Sequence, residues 1–355
     1  MKDLYVNSRY QEQIRMYAEN GLDFTPLTGK RLFIAGASGM IGSAMVDILM
    51  YRNRAFGENI GIIAMGRDGE RLRKRFAAYQ SDPCFQIAEG DVKNTVSCSG
   101  KIDYCLHMAS NTHPIQYAGD PIGTILANTA GTDNLLTFAA DKKAERFLFL
   151  SSVEVYGENR GDTERFEESY CGYLDPNTLR AGYPESKRVA ESLCQAYRSA
   201  RRLDVVTARL CRIFGPTMRT EDSKALSQFI QKAVKGEDIL LKSEGGQRYS
   251  YMYVLEAVMA LLHLLIHGED GQVYNVAGDG EVMTLKELAE FLAFEAGAHV
   301  KLIIPEMQEK RGYSTATTAV LDVTKLKKTG FVHRGQLKAQ LKETLAILRE
   351  ESHAV

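Results

Sequence analysis

The stretch FIAGASGMIGSAMVDIL, residues 33–49, decides the fold. A short apolar run ends at Ala35, three glycines follow as Gly36, Gly39 and Gly42, and an apolar segment with helical spacing comes next. A strand, a glycine loop and a helix in this order open a parallel α/β sheet, because glycine permits the tight turn into the crossover helix. We therefore expect a parallel sheet to begin here.

The chain around this stretch alternates short β-type runs with longer segments of helical period. This alternation is typical of parallel strands joined by crossover helices and predicts a doubly wound sheet. The candidate strands are RLFIA (31–35), IGIIAM (60–65), FQIA (85–88), DYCLHM (103–108), RFLFLS (146–151) and DVVTARL (204–210).

The glycine loop also has the spacing and context of a phosphate site. A backbone without side chains can approach a pyrophosphate, whose charge is met by the N–H groups and dipole of the following helix. An ordinary glycine-rich turn is the alternative, but the strand before and the helix after favour a dinucleotide. The loop residues expected to contact it are Gly36, Ser38, Gly39, Met40, Ile41 and Gly42.

Three segments of different character follow from these patterns. Residues 1–28 are polar and mixed, and we interpret them as an N-terminal extension packed against the core. Residues 29–211 form the predicted Rossmann dinucleotide-binding domain. Residues 212–355 are predicted to form a smaller, mostly helical substrate-binding lobe. This segment also contains a late strand near 272–277, interleaved with the dinucleotide-binding domain. The expected fold class is thus α/β, a doubly wound parallel sheet with a smaller lobe.

The end of the second strand bears on the choice of cofactor. An acid at this point holds the ribose hydroxyls of NAD, whereas an arginine accommodates the 2′-phosphate of NADP. Gly66 and Arg67 favour NADP without excluding NAD, since Asp68 lies close and Arg67 could instead belong to a solvated helix face. Asp91, after the third strand, could accept the adenine amino group or simply form a turn.

Composition limits the partners and the compartment. With 44 basic and 45 acidic side chains the net charge is −1, so no global field favours nucleic acid or an anionic membrane. No stretch approaches the roughly 20 apolar residues of a membrane span, and the charged amino terminus lacks a signal-peptide core. The cysteines form no C-x-x-C pair, so no metal is predicted. We expect a soluble cytoplasmic protein.

Tyr183 and Lys187 lie four apart at the start of an amphipathic segment, which puts both on one helix face. The pKa of a tyrosine, near 10, must fall by roughly 3 units for base catalysis near neutrality, which is about 4 kcal/mol. A cation at about 4 Å supplies an amount of that order. Ser152, after the fifth strand, is a suitable third group to hold a substrate hydroxyl.

From about residue 30 to 330 the chain resembles the extended short-chain dehydrogenase/reductase family, and within it the sugar-nucleotide epimerases, 4,6-dehydratases and UDP-glucuronate decarboxylases. The segments that carry the resemblance are GASGMIG, GDV, HMAS (107–110), NTAGTDNLL (128–136), SSVEVYG, YPESK and RIFGP (212–216). The resemblance implies a homodimer formed through helices around residues 123–140 and 184–200. It also implies cofactor contacts from Tyr183, Lys187, Val92, Met108, Ala109, Ser110 and the structural asparagine Asn128.

The chain resembles the decarboxylase branch in particular, and the motif SSVEVYG (151–157) supports this. The 4,6-dehydratases carry an aspartate where this chain has Val153, and valine cannot protonate a leaving hydroxyl. Galactose-type epimerases usually lack the glutamate that stands here as Glu154. The resemblance therefore implies a decarboxylase, with Ser152 and Glu154 catalytic, and Glu154 positioning the sugar ring or handling a proton near C5.

Two departures from the family predict a remodelled substrate pocket. Tyr249 stands where the family usually has an arginine for the substrate diphosphate, and Arg248 precedes it, facing the other way if the segment is extended. Arg212 stands where relatives have asparagine. The residues expected to bind substrate are His113, which could equally be a loop hydrogen-bonder, and Arg180, Arg212, Arg219, Arg248 and Arg311.

The favoured function is thus transient C4 oxidation of a nucleotide-linked sugar with NAD(P), followed by loss of a C5 carboxylate. Epimerisation or 4,6-dehydration of a sugar nucleotide remain alternatives within the family. A net NADPH-dependent reductase or dehydrogenase is a further alternative, favoured by Arg67. A non-catalytic nucleotide sensor is an alternative of another class, disfavoured because Tyr183 and Lys187 are both present.

Overall fold

A parallel sheet forms the centre of the protein in a computed structural model, which describes residues 4–112, 119–280, 282–303 and 317–353. The strands, in chain order, are β1 (Arg31–Ala35), β2 (Gly61–Gly66), β3 (Phe85–Glu89), β4 (Tyr104–His107), β5 (Arg146–Ser152), β6 (Val205–Leu210), β7 (Arg212–Phe214), β8 (Ile239–Leu241), β9 (Arg248–Tyr253), β10 (Val273–Val276), β11 (Val282–Thr284), β12 (Val300–Leu302) and β13 (Thr318–Ala319).

The main sheet has seven strands in the order β10-β6-β5-β4-β1-β2-β3, all parallel. Each of the six strands predicted for the sheet is present within two residues of its expected bounds, which confirms the doubly wound α/β class. The strand near 272–277 is β10, paired with β6 at the edge. The order reverses between β1 and β4, and that crevice is where α/β sheets bind ligands.

Helices cover both faces of this sheet. They are α1 (Ser8–Glu19), α2 (Met40–Phe56), α3 (Gly69–Arg75), α4 (Pro121–Asn128), α5 (Ala130–Asp141), α6 (Gly182–Arg201), α7 (Ala225–Val234), α8 (Val254–His267), α9 (Leu285–Ala296), α10 (Thr324–Lys328) and α11 (Leu337–His353). None of the helices in the described part of the chain is long and apolar enough to cross a membrane.

Successive side chains of one strand pack into two different hydrophobic cores. In β1, Leu32 and Ile34 pack on the side of α1, α2 and α8, whereas Phe33 and Ala35 pack with α5 and α6. Both faces are buried because helices cover both. This is why the strands read as continuous apolar runs in the sequence rather than as alternating ones.

The N-terminal segment is part of the first of these cores. Helix α1 begins after Asn7, whose side chain accepts a hydrogen bond from the Tyr10 N–H at 2.9 Å. Tyr10, Ile14 and Tyr17 are buried against α2 and α8. The Tyr10 hydroxyl donates to Asp47 of α2 at 2.7 Å, so this helix is fixed by polar as well as apolar contacts.

The smaller lobe contains short strands that sequence reasoning missed. Strand β9 pairs with β7, β11 and β13, and β8 pairs with β12. Most of these strands have two or three residues, too few to show an alternating pattern in the sequence. The pairing of β7 with β9 matters for the site, because it sets Arg212 beside Tyr251 in register.

Candidate active site

A cavity of about 650 Å³ opens at the carboxyl ends of the central strands, where the sheet order reverses. The walls on the sheet side are the glycine loop, the ends of β2 to β6 and the start of α6. The opposite wall comes from the smaller lobe, through β7, β9 and residues 219–229. The cavity therefore lies between the two parts of the chain that the sequence distinguishes.

The glycine loop closes tightly against the rest of the sheet. Gly36 has φ +88°, and a Cβ there would lie 2.7 Å from the backbone of Met108 and Ala109. A Cβ on Gly42 would lie 2.5 Å from the Gly36 carbonyl oxygen. The N-cap residue of α2 is Gly39, which has no side chain to cap the helix, and the residues from Gly39 to Gly42 line the cavity. The loop therefore offers backbone N–H groups and the helix dipole, which fit the pyrophosphate of a dinucleotide.

The far end of the cavity is built from the ends of β2 and β3. Asp91 lines it together with Val92, and its carboxylate also accepts a hydrogen bond from the Lys93 N–H at 3.0 Å. Arg67 lines the same end and donates to the amide oxygen of Asn111 at 3.3 Å. Asp68 does not line the cavity, because its carboxylate caps α3.

Arg219, which the sequence predicts as a substrate residue, lines the cavity next to the glycine loop, a different neighbourhood from that of Arg212. Its guanidinium donates to the Ser38 carbonyl oxygen of the glycine loop at 3.4 Å. Burial and repulsion by Arg71 and then Arg67 lower the pKa of Arg219. The cause of the difference is tertiary, since the chain after β7 runs back over the glycine loop.

Tyr183 and Lys187 lie in the first turns of α6, are buried, and line the cavity with Ser152. The Lys187 ammonium donates to the Leu150 carbonyl oxygen at 2.8 Å and lies 4.6 Å from the centre of the Phe149 ring. Burial lowers the pKa of Lys187 to about 8, an effect that Glu191 partly opposes. The structure thus brings the serine, tyrosine and lysine into one cavity.

A buried polar network lies behind this lysine, and sequence reasoning missed it. Glu191 stands one turn after Lys187 and accepts a hydrogen bond from the Ser151 hydroxyl at 2.5 Å. Arg209 of β6 donates to both of its carboxylate oxygens, at 3.0 and 2.7 Å. The sequence feature that could have indicated this network is Glu191, which stands four residues beyond the lysine on the same helix face.

Asn128 acts through its neighbours rather than as part of the cavity wall. It is fully buried, and its amide donates to the Ser186 hydroxyl at 2.9 Å. Its amide oxygen accepts a hydrogen bond from the Ser110 hydroxyl at 2.7 Å, and Ser110 does line the cavity. Asn128 therefore joins α6 to the loop after β4, a positioning role.

Glu154 is held by an arginine at the cavity wall. One nitrogen of Arg180 donates to both carboxylate oxygens, at 3.0 and 2.9 Å. Both side chains line the cavity, as does the apolar Val153 between Ser152 and Glu154. The end of β5 therefore presents a hydroxyl, an apolar surface and a paired carboxylate in succession.

Arg212 provides a cation at the position where the resemblance implies an asparagine. Its guanidinium carbon lies 3.3 Å from the centre of the Tyr249 ring, and both side chains line the cavity. Its buried Nη1 has no hydrogen-bond partner among the described residues, and neither has the buried Tyr251 hydroxyl. Lys224 lines the same region, and burial followed by repulsion from Arg212 lowers its pKa.

Of the expected substrate residues that the structure describes, Arg248 lies outside this cavity. Arg248 is exposed and does not line the cavity, because successive side chains of β9 face opposite sides and Tyr249 takes the inner one. His113 and Arg311 lie outside the described residues. Several lining residues had no signal in the sequence, since their roles depend on the packing of the lobes: Asn111, Thr112, Asp222, Lys224, Lys242, Gln247 and Tyr251.

Comparisons with known proteins identify the family of the chain. The model of the NAD dependent epimerase/dehydratase family matches residues 32–277. The chain is 31% identical over 324 residues to UDP-glucuronic acid decarboxylase 5 of Arabidopsis thaliana, covering 90% of this chain and 89% of that protein. UDP-glucuronic acid decarboxylase 3 of the same plant is also 31% identical, with coverage of 90% and 88%.

Solved structures share the fold. The dTDP-glucose 4,6-dehydratase DesIV of Streptomyces venezuelae, solved with NAD and TYD bound, gives a TM-score of 0.76 at 24% identity, covering 91% of this chain and 98% of that one. The UDP-glucuronic acid 4-epimerase of Bacillus cereus, solved with UDP-glucuronic acid and NAD, gives 0.75 at 18% identity, with coverage of 90% and 99%.

Proposed function

The chain belongs to the NAD-dependent epimerase/dehydratase family, and we propose that it decarboxylates a nucleotide-linked uronic acid, with UDP-glucuronic acid as the substrate to test first. A nicotinamide cofactor, when bound at the glycine loop, supplies the acceptor and donor of hydride. Tyr183, as a phenolate that Lys187 stabilises, takes the proton of the C4 hydroxyl and becomes a phenol, while Ser152 holds the hydroxyl in place.

With a cofactor bound to accept the C4 hydride, C4 would become a ketone, and this ketone is what makes the C5 carboxylate labile. The C5–carboxylate bond breaks, its electron pair passes into the enolate of the ketone, and carbon dioxide leaves. A proton then returns to C5, and the bound cofactor would give the hydride back to C4, so the cycle is redox-neutral. We assign to Glu154, fixed by Arg180 on the same wall, the orientation of the ring during these steps.

The observation that carries this proposal is the row Ser152, Val153, Glu154 along the cavity wall. Elimination of water from the sugar requires a proton donor near the leaving hydroxyl, and Val153 cannot donate one. Decarboxylation needs no such donor at that position, because the leaving group is neutral carbon dioxide. The similarity over 90% of the chain to proteins named UDP-glucuronic acid decarboxylase supports the same reaction.

Cations at the substrate end support a substrate with several negative charges. Arg180, Arg212 and Lys224 all line the cavity, and Arg180 and Lys224 both interact with Glu154. A nucleoside diphosphate linked to a uronic acid carries charge on both its diphosphate and its carboxylate. Arginine suits such groups because its planar donors bind oxyanions in pairs.

A second candidate, a net NADPH-dependent reduction of a sugar nucleotide, is favoured by Arg67 at the end of β2. We propose NADP(H) as the preferred cofactor for the same reason. The two reactions differ in whether they consume the cofactor. A reductase consumes NADPH in proportion to product, whereas the redox-neutral decarboxylase shows no net change in absorbance at 340 nm.

A homodimer remains part of the proposal. Helix α4 exposes Ile122, Ile125 and Leu126, and α6, against which it packs, exposes Val189. Such apolar side chains on adjoining helices suit a two-fold interface. Light scattering of the purified chain at several concentrations tests it, and a monomer throughout would contradict it.

The direct test incubates the protein with UDP-glucuronic acid and each nicotinamide cofactor, and follows the nucleotide sugar by mass spectrometry. We expect loss of carbon dioxide, and Tyr183→Phe should slow it by roughly 10²- to 10⁴-fold, the usual contribution of a positioned base. Tyr173→Phe is the matched control, because Tyr173 is about half exposed and lies outside the cavity. A product that keeps its carboxylate, or full activity of Tyr183→Phe, would refute the proposal.

A further inference from the structure

We infer that Arg219, contributed by the smaller lobe, joins Arg67 in a binding site for the phosphate group on the 2′-position of the adenosine ribose of NADP(H). This rests on the proposed use of a nicotinamide cofactor in the cavity and goes beyond it. Arg67 alone is a familiar type of signal at the end of β2. A second arginine about 150 residues further along the chain is not, and only the tertiary structure reveals it.

The position of Arg219 is the first argument. It donates to the Ser38 carbonyl oxygen at 3.4 Å, and Ser38 belongs to the glycine loop that fits the pyrophosphate. The Ser38 hydroxyl in turn lies 3.5 Å from where a Cβ of Gly66 would stand, at the end of β2. Arg219 is thus next to the space between the glycine loop and the end of β2, where the ribose of a dinucleotide lies in this fold.

The charge around Arg219 is the second argument. Repulsion by Arg71 and Arg67 adds to burial in lowering its pKa, while Glu221 and Asp222 partly compensate. Arg71 has a partner of its own, since it donates to Glu221 at 2.8 Å. Among the described residues, the contact that Arg67 makes is to the neutral amide of Asn111. Two guanidinium groups at this end of the cavity, one from each lobe, therefore favour an incoming dianion.

The lack of an acid for the ribose is the third argument. A site for NAD holds the ribose hydroxyls with a carboxylate at the end of β2. Here Gly66 has no side chain, although a Cβ would find ordinary contacts of 3.4–3.6 Å, and the Asp68 carboxylate is used in capping α3. The end of β2 therefore presents no carboxylate of its own residues to accept hydrogen bonds from the ribose hydroxyls of NAD. It presents arginines where the ribose of NADP carries its phosphate.

The contacts of Arg71 and Arg219 also connect the two lobes. The ion pair between Arg71 of α3 and Glu221, together with the contact of Arg219 with Ser38, fastens the chain after β7 to the cofactor domain. The same chain continues to Lys224 at the substrate end of the cavity. A phosphate held by Arg67 and Arg219 would therefore bridge the lobes and order the wall that faces the substrate.

The test measures binding of NADP⁺ and of NAD⁺ to the full-length protein by calorimetry, without sugar nucleotide. We expect the wild type to bind NADP⁺ more tightly than NAD⁺. Arg219→Ala and Arg67→Ala should each weaken NADP⁺ binding by roughly 10- to 100-fold, the usual loss for one charge-assisted contact, with much smaller changes for NAD⁺. Arg73→Ala is the matched control, because Arg73 is an exposed arginine of α3 outside the cavity.

Two results would overturn the inference. One is a wild type that binds NAD⁺ at least as tightly as NADP⁺, and the other is an Arg219→Ala variant that loses affinity for both cofactors equally. If Arg219→Ala does not fold by circular dichroism, Arg219→Gln, which keeps the side-chain packing, takes its place. Because no sugar turnover is measured, a failure here leaves decarboxylation intact, and a failure of decarboxylation leaves this result intact.

Discussion

Lys187 is a buried ammonium group, 3% exposed, whose proton is held less tightly than in water. Burial lowers its pKa from 10.5 to about 8, while the Leu150 carbonyl and Glu191 keep a charged form accessible. At 1.36 kcal/mol per pKa unit this lowering corresponds to about 3 kcal/mol of destabilisation of the charged lysine. We propose that the chain tolerates this unfavourable residue in α6 because the chemistry of Tyr183 requires a cation beside it.

Lys187→Met should therefore abolish turnover and stabilise the fold. At pH 7 we expect the free energy of unfolding to rise by about 1–3 kcal/mol, since the penalty on the buried charge is removed and one hydrogen bond to Leu150 is lost. Between pH 8 and 10.5 the folded wild type binds fewer protons than the unfolded wild type, so its stability rises with pH in this range. The difference in free energy of unfolding between Lys187→Met and the wild type therefore becomes smaller as the pH rises.

Urea unfolding at pH 7 and 9.5 measures both effects. Lys74→Met, at an exposed position of α3, is the control and should change stability by less than about 0.5 kcal/mol. The assignment fails if Lys187→Met is clearly less stable than the wild type at pH 7, or if the gap is the same at both pH values.

Helix α2 begins at the glycine loop that lines the cavity and ends at a glycine outside the cavity. Its N-terminal loop has Gly36 at φ +88° in close contact with the chain after β4, and its C-terminus has Gly57 at φ +67° with nothing within 4 Å of a Cβ. Both glycines adopt a left-handed conformation that other residues adopt at a cost of about 1 kcal/mol. Only Gly36 adds a steric requirement.

Gly36→Ala and Gly57→Ala form a matched pair for this difference. Gly57→Ala should lower the free energy of unfolding by about 1 kcal/mol and leave nucleotide binding unchanged. Gly36→Ala should cost several-fold more, because its Cβ would lie 2.7 Å from backbone atoms, and it should lose nucleotide binding. Urea unfolding and calorimetric titration measure the two quantities, and equal effects at both sites would contradict the role of Gly36.

For the molecule as a whole, a buried network around Asp47 fixes three helices to one another. Asp47 of α2 forms an ion pair with Arg75 at the end of α3, and both side chains are less than 5% exposed. The Tyr10 hydroxyl of α1 and the Tyr79 hydroxyl also donate to Asp47, at 2.7 and 3.0 Å. The N-terminal helix is thus joined to the dinucleotide-binding sheet through a shared carboxylate.

Removing that carboxylate should be far more damaging than removing one of its donors. Asp47→Ala leaves Arg75 buried without its partner, and we expect a loss of about 3–5 kcal/mol in the free energy of unfolding. Tyr10→Phe should cost about 1 kcal/mol. Asp141→Ala, which breaks the exposed pair with Arg201, should change little. Denaturant unfolding ranks these variants, and similar losses for Asp47→Ala and Asp141→Ala would refute the ranking.

The sequence by itself determined the main sheet, the glycine loop and the likeness of Tyr183, Lys187 and Ser152 to a catalytic set. These features are local, since strand and helix periods, the spacing of Gly36, Gly39 and Gly42, and a four-residue interval on a helix are all contained within short segments. Residues whose neighbours lie within one element can be interpreted without knowing how the elements pack.

Only the tertiary structure decided which cations lie at which end of the cavity. Arg219 lies against Ser38 and Arg212 stacks on Tyr249 because the smaller lobe folds back over the sheet, and neither contact has a trace in local spacing. The same holds for Asp68, whose carboxylate caps a helix, and for Arg248, which β9 turns outward. Contacts between distant segments depend on the packing of whole elements, and a pattern read over a few residues contains no record of that packing.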